Sequence, residues 1–181
     1  RLNPEAPVPI LKYTRTEVKQ GMAWNVRENL KAFDLEVYML TNTEKITKTR
    51  YIEEKYNHQI LRVDDEKKLS PMDYDLPVEK FDVLVISDYD KGFLDEEDIQ
   101  WICEHNTNVF IDTKKILDEW CVNASFIKIN HVEYEHTEYT LKHLNIEDKL
   151  VVTLSNKGCQ YKGKLFPVKR FILKTFQEQE I

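Results

Sequence analysis

The strongest constraint in the chain is the recurrence of short, unbroken apolar runs. They are residues 82–87 (DVLVIS), 108–113 (NVFIDT), 125–130 (SFIKIN) and 149–154 (KLVVTL), separated by polar, helix-compatible segments at 94–105, 115–120 and 132–144. A strand with one face in water alternates apolar and polar residues, whereas a strand covered on both faces has no reason to. The runs therefore predict a parallel sheet built from βαβ units, an α/β fold with helices on both faces. Such sheets keep their ligands at the carboxyl ends of the strands. The polar residues that close each run are accordingly the first place to look for chemistry.

The chain before residue 81 follows other rules. Pro4, Pro7 and Pro9 fix φ and remove amide donors, so residues 2–11 run extended or as a loop. Ala23, Val26 and Leu30 fall at near-helical spacing and predict a helix over 21–30, followed by a strand over 35–40. Two extended runs, YIEEKY and QILRVD, flank Asn57 and His58. Asparagine tolerates the left-handed backbone of a tight turn, so 50–63 reads as a β-hairpin. Residues 64–80, charged and carrying Pro71 and Pro77, read as a solvated linker or short helix.

Composition narrows the function classes. Hydrophobic residues at 41% supply enough apolar surface to offset the entropy of ordering, and 181 residues suit one domain. A formal net charge of -6, with no long basic run, argues against a nucleic-acid partner. The apolar runs are far too short to span a bilayer and no signal peptide is apparent, so a soluble, cytoplasmic protein with no membrane contact is expected. Cys103, Cys121 and Cys159 are widely spaced without a zinc-site pattern, and read as buried or idle thiols.

Three polar turns follow the apolar runs. Ser87, Asp88, Tyr89, Asp90, Lys91 and Gly92 combine carboxylate, cation and glycine, which suits a sugar phosphate and equally suits a capped turn. Lys128, Asn130 and Glu133 fall where the next helix begins. Asn130 and Glu133 at i and i+3 there form either a site for hydrated Mg²⁺ near phosphates or a capping box. Thr153, Ser155, Asn156, Lys157 and Gly158 make a turn that can approach a nucleotide, and a strand-ending turn wants the same residues. No histidine stands with a Ser or Cys partner as a nucleophilic triad would require.

In combination and in order, these segments resemble the ribokinase-like (PfkB) carbohydrate kinases, and among them the D-glycero-β-D-manno-heptose 7-phosphate 1-kinases. RLNPEAPVPILK is similar to the family's R-[IL]-S-P-E-A-P-V-P-V, GMAWNV to G-G-A-A-N-V, and TKTRYI with QILRVD to its central hairpin. ISDYDKG is similar to S-D-Y-x-K-G, FIDTKK to a strand ending D-P-K, KINHVE to K-P-N-x-x-E, and VVTLSNKG to V-T-x-G-x-x-G. The resemblance spans about residues 1–169. It implies a three-layer ribokinase-like sheet with a β-hairpin lid, incomplete at both ends, and transfer of the ATP γ-phosphoryl group to a sugar phosphate with Mg²⁺. It further implies that Asn25, Lys48, Arg50, Arg62, Asp88 and Lys91 shape the sugar-phosphate pocket. Lys128, Asn130, Glu133, Thr153, Ser155 and Gly158 then serve ATP, with Glu133 at the Mg²⁺. The 47–64 hairpin would pair two copies.

The departures are specific. Met22 replaces the second glycine of the G-G pair and Trp24 a small residue. The family's opening strand has no counterpart, and the family's long stretch between Leu40 and Thr47 is nearly absent. Where the family continues into D-x-[ST]-G-A-G-D, the motif holding its anion hole and catalytic base, this chain reads KTFQEQEI. The codons of Lys174 to Ile181, read in a shifted frame, permit D-x-S-G-A-G-D, so the tail is expected to be a frameshifted copy of that motif ending early, with an unrelated acidic tail as the alternative. No catalytic residue is then assigned. An impaired sugar kinase is the first expectation, a non-catalytic nucleotide- or sugar-binding or interaction protein the second, and an unrelated βαβ domain the third.

Overall fold

The computed structural model describes residues 3–72 and 76–168 and divides the chain into two compact units, Arg1–Met39 and Leu40–Ile181. The tail from Phe171 lies outside the described residues.

In the first unit the single described helix, α1 (Ala23–Lys31), agrees with the periodicity of its apolar residues, and none of its side chains is buried. It is entered through a tight turn in which the Trp24 N–H donates to the Gly21 carbonyl at 3.1 Å, with Met22 at φ 50 and ψ -118. Those angles belong to the first central position of a type II′ turn, where glycine is favoured because it has no Cβ. The strand expected over 35–40 is absent, with Leu35 54% and Tyr38 68% exposed. An extended run becomes a strand only when a neighbour takes its ladder hydrogen bonds, and the described residues of this unit contain no other strand.

The second unit begins with the expected hairpin, β1 (Thr47–Glu53) and β2 (His58–Asp65), antiparallel around Asn57 at φ 55. A bulge follows Tyr51. The four apolar runs become β3 (Leu84–Ser87), β4 (Val109–Asp112), β5 (Phe126–Asn130) and β6 (Leu150–Thr153), all parallel. Two antiparallel strands unforeseen in the sequence, β7 (Cys159–Tyr161) and β8 (Lys164–Phe166), complete a sheet ordered β3-β4-β5-β6-β7-β8. Helices α2 (Glu96–His105) and α3 (His131–Leu144) occupy the crossovers, each opened by a reciprocal capping box. Residues 115–120 form no α-helix; a 3-10 turn, Glu119–Cys121, stands there, with Leu117 and Trp120 buried.

Ile86, Val109, Ile111, Ile127, Ile129, Leu150 and Val152 share one face of the sheet and pack into one core with Ile99, Ile102 and Cys103 of α2 and Leu141 of α3. Each such burial contributes roughly 1.5–3 kcal/mol of transfer free energy. The segment 64–80 is tied to this core rather than solvated throughout, since Met72 and Val78 belong to it, and Leu69 is buried as well. Covering of both faces is not observed within the unit. Val85, Phe110 and Phe126, on the opposite face, are 43%, 40% and 38% exposed. Phe110 stacks on Phe126 at 5.4 Å and Phe126 leans on Tyr161 at 5.9 Å. The uniformly apolar runs are thus those of a two-sided sheet, while the helices of this unit supply one layer. Burial pushes the thiols of Cys103 and Cys121 up, to about 12 and about 11 respectively.

Candidate functional site

The parallel ladder sets the carboxyl ends of β3 to β6 side by side. Ser87 pairs in register with Asp112, Asp112 with Lys128, and Asn130 with Thr153. Asp88, Asn130 and Ser155 therefore close strands at a single edge of the sheet, where the sequence analysis expected the crevice. A surface groove lined by Gln100, Asp118, Tyr139 and His143 lies instead by the C-terminal half of α3, at the other end of the strands.

The turn after β3 is fastened from within. Asp88, 8% exposed, accepts the Asp90 N–H on Oδ1 at 3.0 Å and the Thr113 hydroxyl on Oδ2 at 2.8 Å. Lys115 lies behind it, its Nζ 2.5 Å from Asp90 Oδ1 and 3.6 Å from Asp88 Oδ2. Burial alone would lower the Lys115 pKa, but the hydrogen bond to Asp90 and the charge of Asp88 outweigh it and raise it. Sequence reading missed this residue. FIDTKK holds two adjacent lysines, and the resemblance aligns Lys114 with the family's lysine; in the fold Lys114 lies over the Tyr89 ring, 5.3 Å from its centre, while Lys115 is the buried cation.

Lys91, at the outer side of the same turn, donates to Glu66 Oε2 at 2.6 Å, and Lys48 of β1 approaches Glu66 Oε1 at 3.4 Å. Hydrogen bonding from Lys91 holds the Glu66 carboxyl below its ordinary range. On the hairpin, Arg62 grips Asp64 through two nitrogens at 2.6 and 2.5 Å, and Arg50 stands directly opposite Arg62 in register. Lys48, Arg50, Arg62 and Lys91, four of the expected pocket residues, thus surround one stretch of hairpin and turn. Asp88 anchors the turn that carries Lys91, and Asn25 stands on α1 in the first unit.

At β5, Lys128 Nζ holds both Asp112 oxygens at 3.0 Å. Asn130 Oδ1 accepts the Val132 and Glu133 N–H groups at 2.9 and 3.0 Å, and Glu133 Oε2 accepts the Asn130 N–H at 2.7 Å. Both residues therefore form a capping box. Thr153 donates to the Ile129 carbonyl at 3.3 Å, and Ser155 takes φ 54 in the turn beyond. Gly158, at φ 104, has its own structural reason: a Cβ there would stand 2.0 Å from the Phe166 carbonyl oxygen. Among the described residues no group of three or more His, Cys, Asp or Glu could hold a metal by itself. None of their helices is long and apolar enough to cross a membrane.

A mostly parallel sheet with helical crossovers, a hairpin, and cations gathered at the strand ends define an α/β protein of the ribokinase-like class. No family model matches the chain. Curated proteins do: the bifunctional protein HldE of Helicobacter pylori (strain Shi470) is 30% identical over 224 aligned positions, which cover 91% of this chain and 48% of the relative. Bifunctional protein HldE of a Nitratiruptor species is 26% identical over 208 positions, covering 87% and 45%. Over about nine tenths of its length the chain is similar to these HldE proteins, and it spans about half the length of the curated relatives it matches. The alignment to the Helicobacter protein is longer than the whole 181-residue chain, so that relative carries internal residues without a counterpart here.

Proposed function

We propose that this chain is a sugar-kinase homologue that binds a sugar phosphate, heptose 7-phosphate by resemblance, together with MgATP, and that its phosphoryl transfer is impaired. The observation that carries the reading is the single edge at which Ser87 to Lys91, Lys128 to Glu133, and Thr153 to Gly158 follow strands of one parallel ladder. The order of those turns is the order in which the resemblance assigns sugar and nucleotide contacts. In this reading Lys48, Arg50, Arg62 and Lys91 serve the sugar phosphate, and Asp88 keeps their turn in shape through Lys115. Lys128 and the N-terminus of α3 face the nucleotide phosphates, beside Thr153, Ser155 and Gly158.

Glu133 fits a magnesium partner in one respect. Its Oε2 caps Asn130, and its Oε1 has no hydrogen bond among the described residues. Mg²⁺ keeps most of its waters and shares the phosphates, so one carboxylate at a helix entrance suffices, and the ion supplies neutralisation of phosphate charge. Impairment follows from KTFQEQEI, which stands where the resemblance places the base-bearing motif. A missing general base alone costs about a hundred- to ten-thousand-fold in rate. The reading further includes a cytoplasmic location and a homodimer through the hairpin, whose Tyr51, Leu61 and Val63 share an apolar face and are 46%, 52% and 48% exposed.

A coupled ADP-release assay with heptose 7-phosphate tests the activity, and thermal shift with ADP and Mg²⁺ tests retained binding. A stabilising shift without turnover is expected. Turnover at the rate of an intact kinase overturns the impairment, and no shift with either ligand overturns the reading. The gene sequence tests the shifted frame: third bases spelling Asn, Pro, Arg or Thr in that frame end it.

A further inference from the structure

The hairpin carries a charge arrangement that its own strands do not explain. Lys48, Arg50, Arg62 and Asp64 project from one face, Lys48 opposite Asp64 and Arg50 opposite Arg62. Like charges directly opposite each other destabilise a two-stranded ribbon. Asp64 is committed to Arg62, and Arg50 forms no hydrogen bond or ion pair among the described residues. Lys91 enters from the turn after β3 and meets Lys48 at a single carboxylate, Glu66. The Arg62 and Asp64 charges also act on this group: Arg62 responds to Glu66, and Asp64 to Lys48 and Arg50. Four cations surround two carboxylates, a surplus of two positive charges in a chain whose net charge is -6. A phosphomonoester carries close to two negative charges at neutral pH.

We propose that Glu66 is an internal stand-in for the ligand's phosphate: its carboxylate occupies the point on which Lys48 and Lys91 converge, and an entering phosphomonoester displaces it. This rests on the sugar-phosphate reading above and adds a competitor to it. The half-exposed position of the three side chains, between 24% and 36%, leaves the carboxylate free to swing out and the ligand free to enter. The contact also ties β2 to the β3 turn, so the exchange replaces a tether made by the protein with one made by the ligand. Empty protein is held in a docked arrangement without anion, and binding is weakened by the free energy of that contact. Arg50, unpaired beforehand, is the cation best placed to gain from the exchange.

Titration of the full chain with inorganic phosphate, followed by backbone amide shifts of residues 48, 66 and 91, tests the idea. Glu66→Gln removes the competing charge and keeps the shape. Its phosphate affinity is expected to rise about threefold to tenfold at moderate salt, while Lys91→Gln lowers affinity by a similar factor. Unchanged or weaker binding in Glu66→Gln, with cooperative unfolding retained, overturns the proposal, as does the absence of phosphate binding in both proteins. The Mg²⁺–ADP thermal shift distinguishes the two levels. Its persistence when phosphate binding is unaffected by Glu66→Gln sinks the competitor alone, and loss of nucleotide binding as well sinks the kinase-derived reading.

Discussion

Two residues illustrate how one position can carry a cost or a clamp. Met22 sits at φ 50 where the turn into α1 wants glycine, and the resemblance independently assigns a glycine to that place. Met22→Gly is therefore expected to stabilise the first unit by about 1 kcal/mol, read from denaturant midpoints, because relief of Cβ strain exceeds the added entropy of the unfolded chain. Lys115 shows the reverse. Its side chain is 8% exposed between Asp88 and Asp90, so Lys115→Met leaves a buried carboxylate uncompensated and should cost roughly 3 kcal/mol. The folded pKa of this lysine is raised, so its contribution is complete below its unfolded value of about 10.5 and disappears as pH climbs through the raised value. Wild-type protein should lose stability in alkali by an increment that the Met variant lacks, measured by unfolding at pH 9 and pH 11. Nothing in the sequence indicated which of Lys114 and Lys115 would be enclosed, because burial of a long cation depends on carboxylates brought from a different strand end.

At the scale of elements, the sequence foretold best where a local pattern and a tertiary neighbour agree. The runs at 82–87, 108–113, 125–130 and 149–154 became β3 to β6, each trimmed at one or both ends. The hairpin was legible because Asn57 could take the left-handed turn. The run at 35–40 had the composition of a strand, and no strand among the described residues of its unit lies beside it. β7 and β8 went unnoticed because three-residue strands have no period to read. Their signal was the Lys162–Gly163 pair at φ 48 and 71, the angles of a type I′ turn. The Asn130–Glu133 pair had two readings, and the fold shows the capping box in full. Glu133→Gln separates the two roles: an amide oxygen still accepts the Asn130 N–H, so thermal stability should hold within about 0.5 kcal/mol, while Mg²⁺-dependent nucleotide stabilisation falls severalfold. For the hairpin, Leu61→Glu places a charge in the exposed apolar face; if the proposed dimer forms in the wild type, the variant should sediment as a monomer, with the sheet of β3 to β8 intact.

For the whole molecule, the α/β class and the mostly parallel sheet were legible because hydrophobic patterning encodes what a strand needs on each side. The number of covered faces was not, since Val85, Phe110 and Phe126 state a demand that a strand sequence cannot itself meet. The Helicobacter relative has internal residues with no counterpart here, and the resemblance puts such a stretch between Leu40 and Thr47, next to the division at Met39 and Leu40.

β3 ends the sheet, and among the described residues it pairs only with β4. Its LVIS carries no proline, charge or bulge to discourage another chain from adding alongside. Thermal inactivation should consequently be bimolecular: the half-life of soluble protein on mild heating should shorten in inverse proportion to its concentration. A lysine at Val85 should return the decay to first order.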